Sequence, residues 1–208
     1  MSGRRAIVAL PHAEPGMRIG LLGGSFNPPH AGHRHVSLEA MRRLKLDQVW
    51  WIVTPGNPLK SHAGLPPLPE RMAASIDLSA HPQIIITGFE AGLGSPYTAG
   101  ALLYLKSRYP AVRFVWLMGA DNLAQIHRWR HWRKIFETLP IAVLDRPGWR
   151  HRGLASPAAS LYREQRLSEP AARRLAATNP PAWTFLSIPL SHLSSTELRH
   201  QRSHRRHR

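Results

Sequence analysis

The chain has 208 residues, no cysteine and a formal net charge of +16. That length fits one domain able to bury a sizeable core, the lack of cysteine excludes disulfides and thiolate metal sites, and no apolar run is long enough to cross a bilayer. The charge favours acidic partners such as nucleotides, although four arginines are gathered in the last eight residues, Gln201–Arg208.

In chain order, Arg4-Arg5 followed by the apolar Ala6–Leu10 imitates a secretory leader, but Pro11-His12 interrupts a stretch that is already too short. Residues 1–16 are therefore expected to be a loose, flexible extension, with Met17 as an alternative start and the cytoplasm as the expected location. A strand is predicted over Arg18–Leu22, then a glycine-rich turn, then a helix over His33–Leu44 with Val36, Ala40 and Leu44 on one face. Further strands are predicted at Val49–Thr54, Ile84–Thr87, Arg113–Met118, Ile141–Leu144 and Trp183–Ile188. Helices are predicted at Pro69–Ser79, which opens with Pro-Glu, and at Thr98–Arg108, Asn122–Thr138 and Ser195–Gln201. Residues 147–168 read as a long loop, with one more helix over Glu169–Ala177. The alternation of strand and helix predicts an α/β fold, a Rossmann-like, doubly wound parallel sheet in a single domain over 17–200. The tail 201–208 is expected to be disordered.

In such a sheet ligands bind beyond the carboxyl ends of the strands. The turn after the first strand reads Gly23-Gly24-Ser25-Phe26-Asn27-Pro28-Pro29-His30-Ala31-Gly32-His33. Gly23 and Gly24 let a phosphate approach without a Cβ in the way. Pro28 and Pro29 stiffen the loop. The following helix start offers free N–H groups and the positive end of its dipole. His30 and His33, three residues apart, can turn both rings toward one ligand. Near the other end, Ser194 and Glu197 form a capping box, and Ser195, Thr196 and Arg199 add hydroxyls and a cation within one turn. Either segment alone is what a well-made helix start looks like; two in this order are far more specific.

The first segment resembles the HxGH signature of the nucleotidyltransferases of the class I tRNA synthetase-like superfamily. With the loop GGSFNPPHAGH it is most similar to the nicotinate-nucleotide adenylyltransferases. Leu193-Ser194-Ser195-Thr196-Glu197-Leu198-Arg199 resembles the ISSTxxR motif of that superfamily, which holds the outer phosphates of ATP. The resemblance implies adenylyl transfer from ATP to nicotinate mononucleotide, giving deamido-NAD and pyrophosphate in NAD biosynthesis. It implies that His30, His33 and Arg199 are catalytic. Gly23, Gly24, Ser25, Phe26, Arg146, Ser194, Ser195 and Thr196 would share the ATP site with them. Asn27, Lys60, Tyr97, Thr98, Asp121 and Trp129 would meet the mononucleotide. Asp121 lies in Met118-Gly119-Ala120-Asp121, and Trp129 is the aromatic that would stack on the pyridine ring, whereas Trp132 is expected in the core. Arg146-Pro147-Gly148 would border the adenine and phosphates, and Ser95-Pro96-Tyr97-Thr98 would approach the nicotinate. This chain departs from the pattern there: Pro96 is inserted, Gly100-Ala101 replaces an Asp-Thr pair, and no basic residue follows Glu90. Mg2+ is expected, bound mainly through the ATP phosphates, with no metal site of the protein's own. The expected partners are ATP and nicotinate mononucleotide, with no membrane, no specific nucleic acid and homo-oligomer formation left open. The alternatives are another HxGH adenylyl- or cytidylyltransferase, such as pantetheine-phosphate adenylyltransferase, or a basic non-catalytic nucleic-acid-binding protein.

Overall fold

The computed structural model describes residues 9–56, 65–94 and 97–189. The strands are β1 (Arg18–Gly24), β2 (Gln48–Val53), β3 (Ile84–Thr87), β4 (Arg113–Gly119), β5 (Ile141–Leu144), β6 (Arg166–Leu167) and β7 (Trp183–Leu186). They form one seven-stranded sheet in the order β3-β2-β1-β4-β5-β7-β6, with every pairing parallel. The helices are α1 (Ala31–Leu44), α2 (Leu68–Ser79), α3 (Thr98–Arg108), α4 (Ala120–Leu123), α5 (Trp132–Thr138), α6 (Arg150–Leu154) and α7 (Pro157–Leu161). The order reverses between β1 and β4, so a crevice opens where their following loops diverge to opposite faces.

The period-two geometry of a strand sends successive residues to opposite faces. Leu21, Trp50 and Trp116 face one core, closed by α3, α5 and α7; Leu22, Trp51 and Leu117 face the other, closed by α1 and the 3-10 helix Glu169–Ala177. Trp50 and Trp51 are consecutive and both fully buried, one on each face. Each indole removes roughly 150–250 Å² from water, worth roughly 4–6 kcal/mol as an upper bound. Trp51 also donates its indole N–H to Ser37 Oγ at 2.8 Å, and Ser37 in turn donates to the His33 carbonyl at 2.9 Å, which fixes α1 on β2.

Three expectations need correction. The predicted helix Asn122–Thr138 is broken into α4, a 3-10 turn at Ile126–Arg128 and α5, with His131 at φ 57°. Leu123, Ile126, Trp129, Trp132 and Ile135 recur every third residue and all pack on one core. Positions three apart drift around a straight α-helix but stay aligned in a 3-10 turn or across a break. Residues 147–168 are not an irregular loop; they carry α6, α7, a 3-10 turn at Arg163–Gln165 and β6. Ser156 caps α7 by accepting the Ala159 N–H at 3.2 Å, with Pro157 in the first turn. The segment Glu169–Ala177 is helical, as expected, and of the 3-10 type.

The loose extension does not hold over residues 9–16. Thr87 and Tyr109 donate their hydroxyls to the carbonyls of Ala9 (3.1 Å) and Pro11 (2.7 Å), Gly16 N–H reaches the Ala111 carbonyl at 2.8 Å, and Leu10 and Ala13 pack on the core. Residues 1–8, the predicted helix Ser195–Gln201 and the tail 201–208 lie outside the described residues. Among the described residues no helix is long and apolar enough to cross a membrane.

Candidate active site

The two glycines that end β1 lie against aromatic rings, and the first has no room for a side chain. A Cβ on Gly23 would sit 2.5 Å from the Trp116 ring on the neighbouring strand, and one on Gly24 would meet Phe26 at 3.4 Å. Phe26 itself adopts φ 46° and is 1% exposed. A non-glycine residue there costs of order 1–3 kcal/mol and persists only when its surroundings over-determine it. The ring is stacked on Trp51 at 5.0 Å between centroids and lies 4.7 Å from His33. The Phe26 side chain thus supports the loop from beneath; a contact from this residue to a nucleotide would have to come from its backbone.

His30 is the N-cap of α1, in extended conformation, and is 6% exposed. Its ring lies 3.9 Å from that of His33. The His30 backbone N–H donates to His33 Nδ1 at 3.2 Å. With Nδ1 an acceptor, the neutral ring carries its proton on Nε2, which is left as a donor. Burial, the neighbouring His30 and the charge of Arg146 together push the His33 pKa down to about 3. His33 is therefore a neutral imidazole at physiological pH. His30 and His33 come together as the sequence predicts, at the head of a 14-residue helix that starts at the carboxyl edge of the sheet.

Across the crevice, Arg146, just after β5, donates to Asp121 Oδ2 in α4 at 2.7 Å. The other carboxylate oxygen, Oδ1, is buried and has no partner among the described residues. A Cβ on Gly119 would collide with it, so glycine there leaves the space that this oxygen occupies. The wall behind this pair is a polar chain. Asp145 takes Arg150 at 2.8 Å, Arg150 reaches Ser187 Oγ at 2.6 Å, Ser187 N–H reaches Glu169 at 2.9 Å, and Glu169 pairs with Arg43 of α1 at 2.7 Å. His35, also on α1, meets the Pro189 carbonyl at 2.7 Å. The chain beyond β7 is thereby held beside the helix that carries the two histidines.

Tyr97 caps α3, and Thr98 is the first residue of that helix. The turn after Trp129 folds against Tyr97: Arg130 donates to its hydroxyl at 3.1 Å with the guanidinium 5.0 Å from its ring centre, and His131 meets it edge-on at 6.2 Å. Trp129 and Trp132 are both half-buried against the same core, where Trp132 meets Phe136 and Tyr162 edge-on. Ser25 and Asn27 lie half-exposed along the loop after β1. Lys60, Ser194, Ser195, Thr196 and Arg199 lie outside the described residues.

Sequence reasoning missed two charged residues of this region. Arg71, in the first turn of α2, reads as an exposed helix residue but is 3% exposed. Glu90, after β3, is half-buried, and its burial pushes its pKa up to about 7. A charged residue carries no local sign of burial; the absence of a basic residue after Glu90 was the only available hint. No group of three His, Asp or Glu residues able to hold a metal ion occurs among the described residues.

The family model of cytidylyltransferase-like proteins matches residues 21–201 of this chain. The chain belongs to the cytidylyltransferase-like family. Its relatives in that family agree with the resemblance carried by GGSFNPPHAGH. A Cereibacter sphaeroides protein named probable nicotinate-nucleotide adenylyltransferase is 55% identical over 183 residues, which cover 88% of this chain and 97% of the relative. A Ruegeria pomeroyi protein of the same name is 52% identical, over 91% of this chain and 88% of the relative. The fold is shared with the solved Plasmodium falciparum nicotinic acid mononucleotide adenylyltransferase complexed with NaAD, at a TM-score of 0.67 and 19% identity over 88% of this chain and 83% of that one.

Proposed function

We propose that this cytidylyltransferase-like protein joins ATP to nicotinate mononucleotide, giving deamido-NAD and pyrophosphate. One observation carries the reading: the neutral His33, with its Nε2–H donor, is paired with His30 at the head of α1, facing the Arg146–Asp121 pair across the β1/β4 crevice. A phosphate oxygen of the mononucleotide attacks the α-phosphorus of ATP. The new P–O bond forms as the bond to the β-phosphate bridging oxygen breaks, and pyrophosphate leaves with the electron pair. The nucleophile is already an anion, so catalysis reduces to positioning and charge stabilisation. His30 and His33 donate to the triphosphate, and Arg146 adds positive charge on the facing side. Motif alone assigns Ser194, Ser195, Thr196 and Arg199 to the departing pyrophosphate and Lys60 to a phosphate. Gly23, Gly24 and Ser25 line the nucleotide's approach, and Asn27 the mononucleotide's.

Asp121 belongs by motif to the mononucleotide side; its Oδ2 holds Arg146 in place, while its Oδ1 is buried against Gly119. Trp129 offers a face for the cationic pyridine ring. The carboxylate of nicotinate meets N–H groups at Tyr97 and Thr98, and Arg130 adds a cation at the same end. Mg2+, bound mainly through the ATP phosphates, would offset their charge, and His30, His33 and Arg146 would orient the nucleotide. The test is pyrophosphate release from ATP with nicotinate mononucleotide, nicotinamide mononucleotide or phosphopantetheine as acceptor. Release with phosphopantetheine alone would overturn the substrate, and release with none would overturn the reaction.

A further inference from the structure

Arg71 is a buried cation with an unusual set of partners. Its Nε–H donates to the Pro66 carbonyl at 2.9 Å, Nη1 donates to the carbonyls of Ser25 at 2.7 Å and Thr54 at 2.8 Å, and Nη2 donates to Pro55 at 3.2 Å. All four acceptors are backbone oxygens, and none of the ion pairs among the described residues includes Arg71. The acceptors belong to three separate pieces of chain. Ser25 follows β1 and lies five residues before His30. Thr54 and Pro55 follow β2, and Pro66 precedes α2. The ladder between β1 and β2 ends at the pair Gly24 and Val53, with one last bond from Thr54 N–H to the Gly24 carbonyl at 3.0 Å. Beyond that point the sheet no longer sets the spacing of the two loops; the guanidinium does.

We propose that Arg71 is a positioning residue for adenylyl transfer: its fork clamps the loop carrying His30 to the loop leaving β2, and so sets the geometry of the phosphate-binding side. The proposal rests on reading the loop after β1 as the phosphate loop. A second consequence follows from the partner set. Carbonyls orient the charge but do not neutralise it, so a full positive charge remains beneath a loop that receives polyphosphate. Lysine cannot replace this device, because one ammonium cannot span four carbonyls arranged about a planar fork.

The test compares wild type with R71K and R71A at a temperature well below each melting point. The readouts are kcat, KM for ATP and for the mononucleotide, and binding of a non-hydrolysable ATP analogue followed by tryptophan fluorescence. R71K is expected to lose roughly a hundredfold in kcat, the cost of a misplacement of about 1 Å. Its binding of the ATP analogue is expected to weaken, with KM for the mononucleotide unchanged. R71A is expected to regain activity with millimolar guanidinium chloride and not with methylammonium. A folded R71K with wild-type kcat and analogue affinity overturns the proposal, as does a folded R71A that guanidinium does not rescue. Failure of both variants to fold assigns Arg71 to stability alone and overturns it too. If the wild type binds the analogue but transfers nothing to nicotinate mononucleotide, the functional reading fails; analogue binding by R71K then still decides the role of Arg71.

Discussion

The two ends of the crevice are built differently. Around His30 and His33 nearly every support is buried: Phe26 packs against both Trp51 and His33, Ser37 links Trp51 to α1, and Arg71 holds two loops from within. Around Tyr97 the supports are exposed: Arg130 and His131 meet the ring from the solvent side. Buried networks in a low dielectric are stiff and costly to disturb, whereas exposed pairs contribute little and adjust readily. The end assigned to the triphosphate, where charge develops, is thus pre-organised. The end assigned to the pyridine ring is free to tune which acceptor enters.

That contrast predicts a gradient of effects. The largest belongs to the stiff end. His33→Ala is expected to lower kcat about a hundred- to a thousandfold, the cost of about 2.7–4 kcal/mol for removing one donor from a pre-organised site. Near-normal kcat in a folded variant would remove His33 from the mechanism. Because its ring stays neutral down to about pH 3 in the free enzyme, kcat/KM should show no His33 titration between about pH 5 and 8; an inflection lost in a His33→Gln variant would show otherwise.

At the adaptable end the effects are smaller and selective. Arg130→Ala should lower kcat/KM for nicotinate mononucleotide by about tenfold, in line with roughly 1.5 kcal/mol for a hydrogen bond to a charged group, and leave the nicotinamide form nearly unaffected. Equal losses with both acceptors would make Arg130 a support for Tyr97 only. Trp129→Phe should weaken both acceptors without changing their ratio, because both rings are flat cations.

Glu90 gives a stability effect. Its folded pKa of about 7 lies above the ordinary value of 4.5, so the contribution of its neutral form is fully present below about pH 4.5 and is lost as pH rises through 7. Glu90→Gln should therefore raise the melting point at pH 8 relative to wild type and give no gain at pH 4. The ceiling is about 3 kcal/mol, reduced because the side chain is partly exposed. A gain that is the same at both pH values would remove Glu90 as its cause. The smallest effect is expected from deleting residues after His200: the basic, apolar-poor tail should change stability by no more than about 0.5 kcal/mol and leave kcat unchanged.

Much of this was legible before any coordinates. β3, β5 and α3 have the predicted bounds, because turn residues and continuous apolar runs bracket them. The helix predicted over Asn122–Thr138 was not legible, since spacing by three fits a broken 3-10 path as well as a short piece of α-helix. α6 and α7 are only five residues each, so their periodicity never accumulates, although Ser156-Pro157 was a usable start signal.

By itself the sequence determined the alternation of strand and helix, the glycine-rich turn ahead of His30 and His33, and through them the parallel fold and its ligand edge, because these depend on local chirality, period and turn chemistry. Only the tertiary structure decided that Phe26 is a buried prop, that Arg146 faces Asp121, that Arg130 leans on Tyr97 and that Arg71 serves three loops at once. Each of those depends on which strands become neighbours, and on the energy of a charge or an unpaired backbone oxygen once water has been excluded around it.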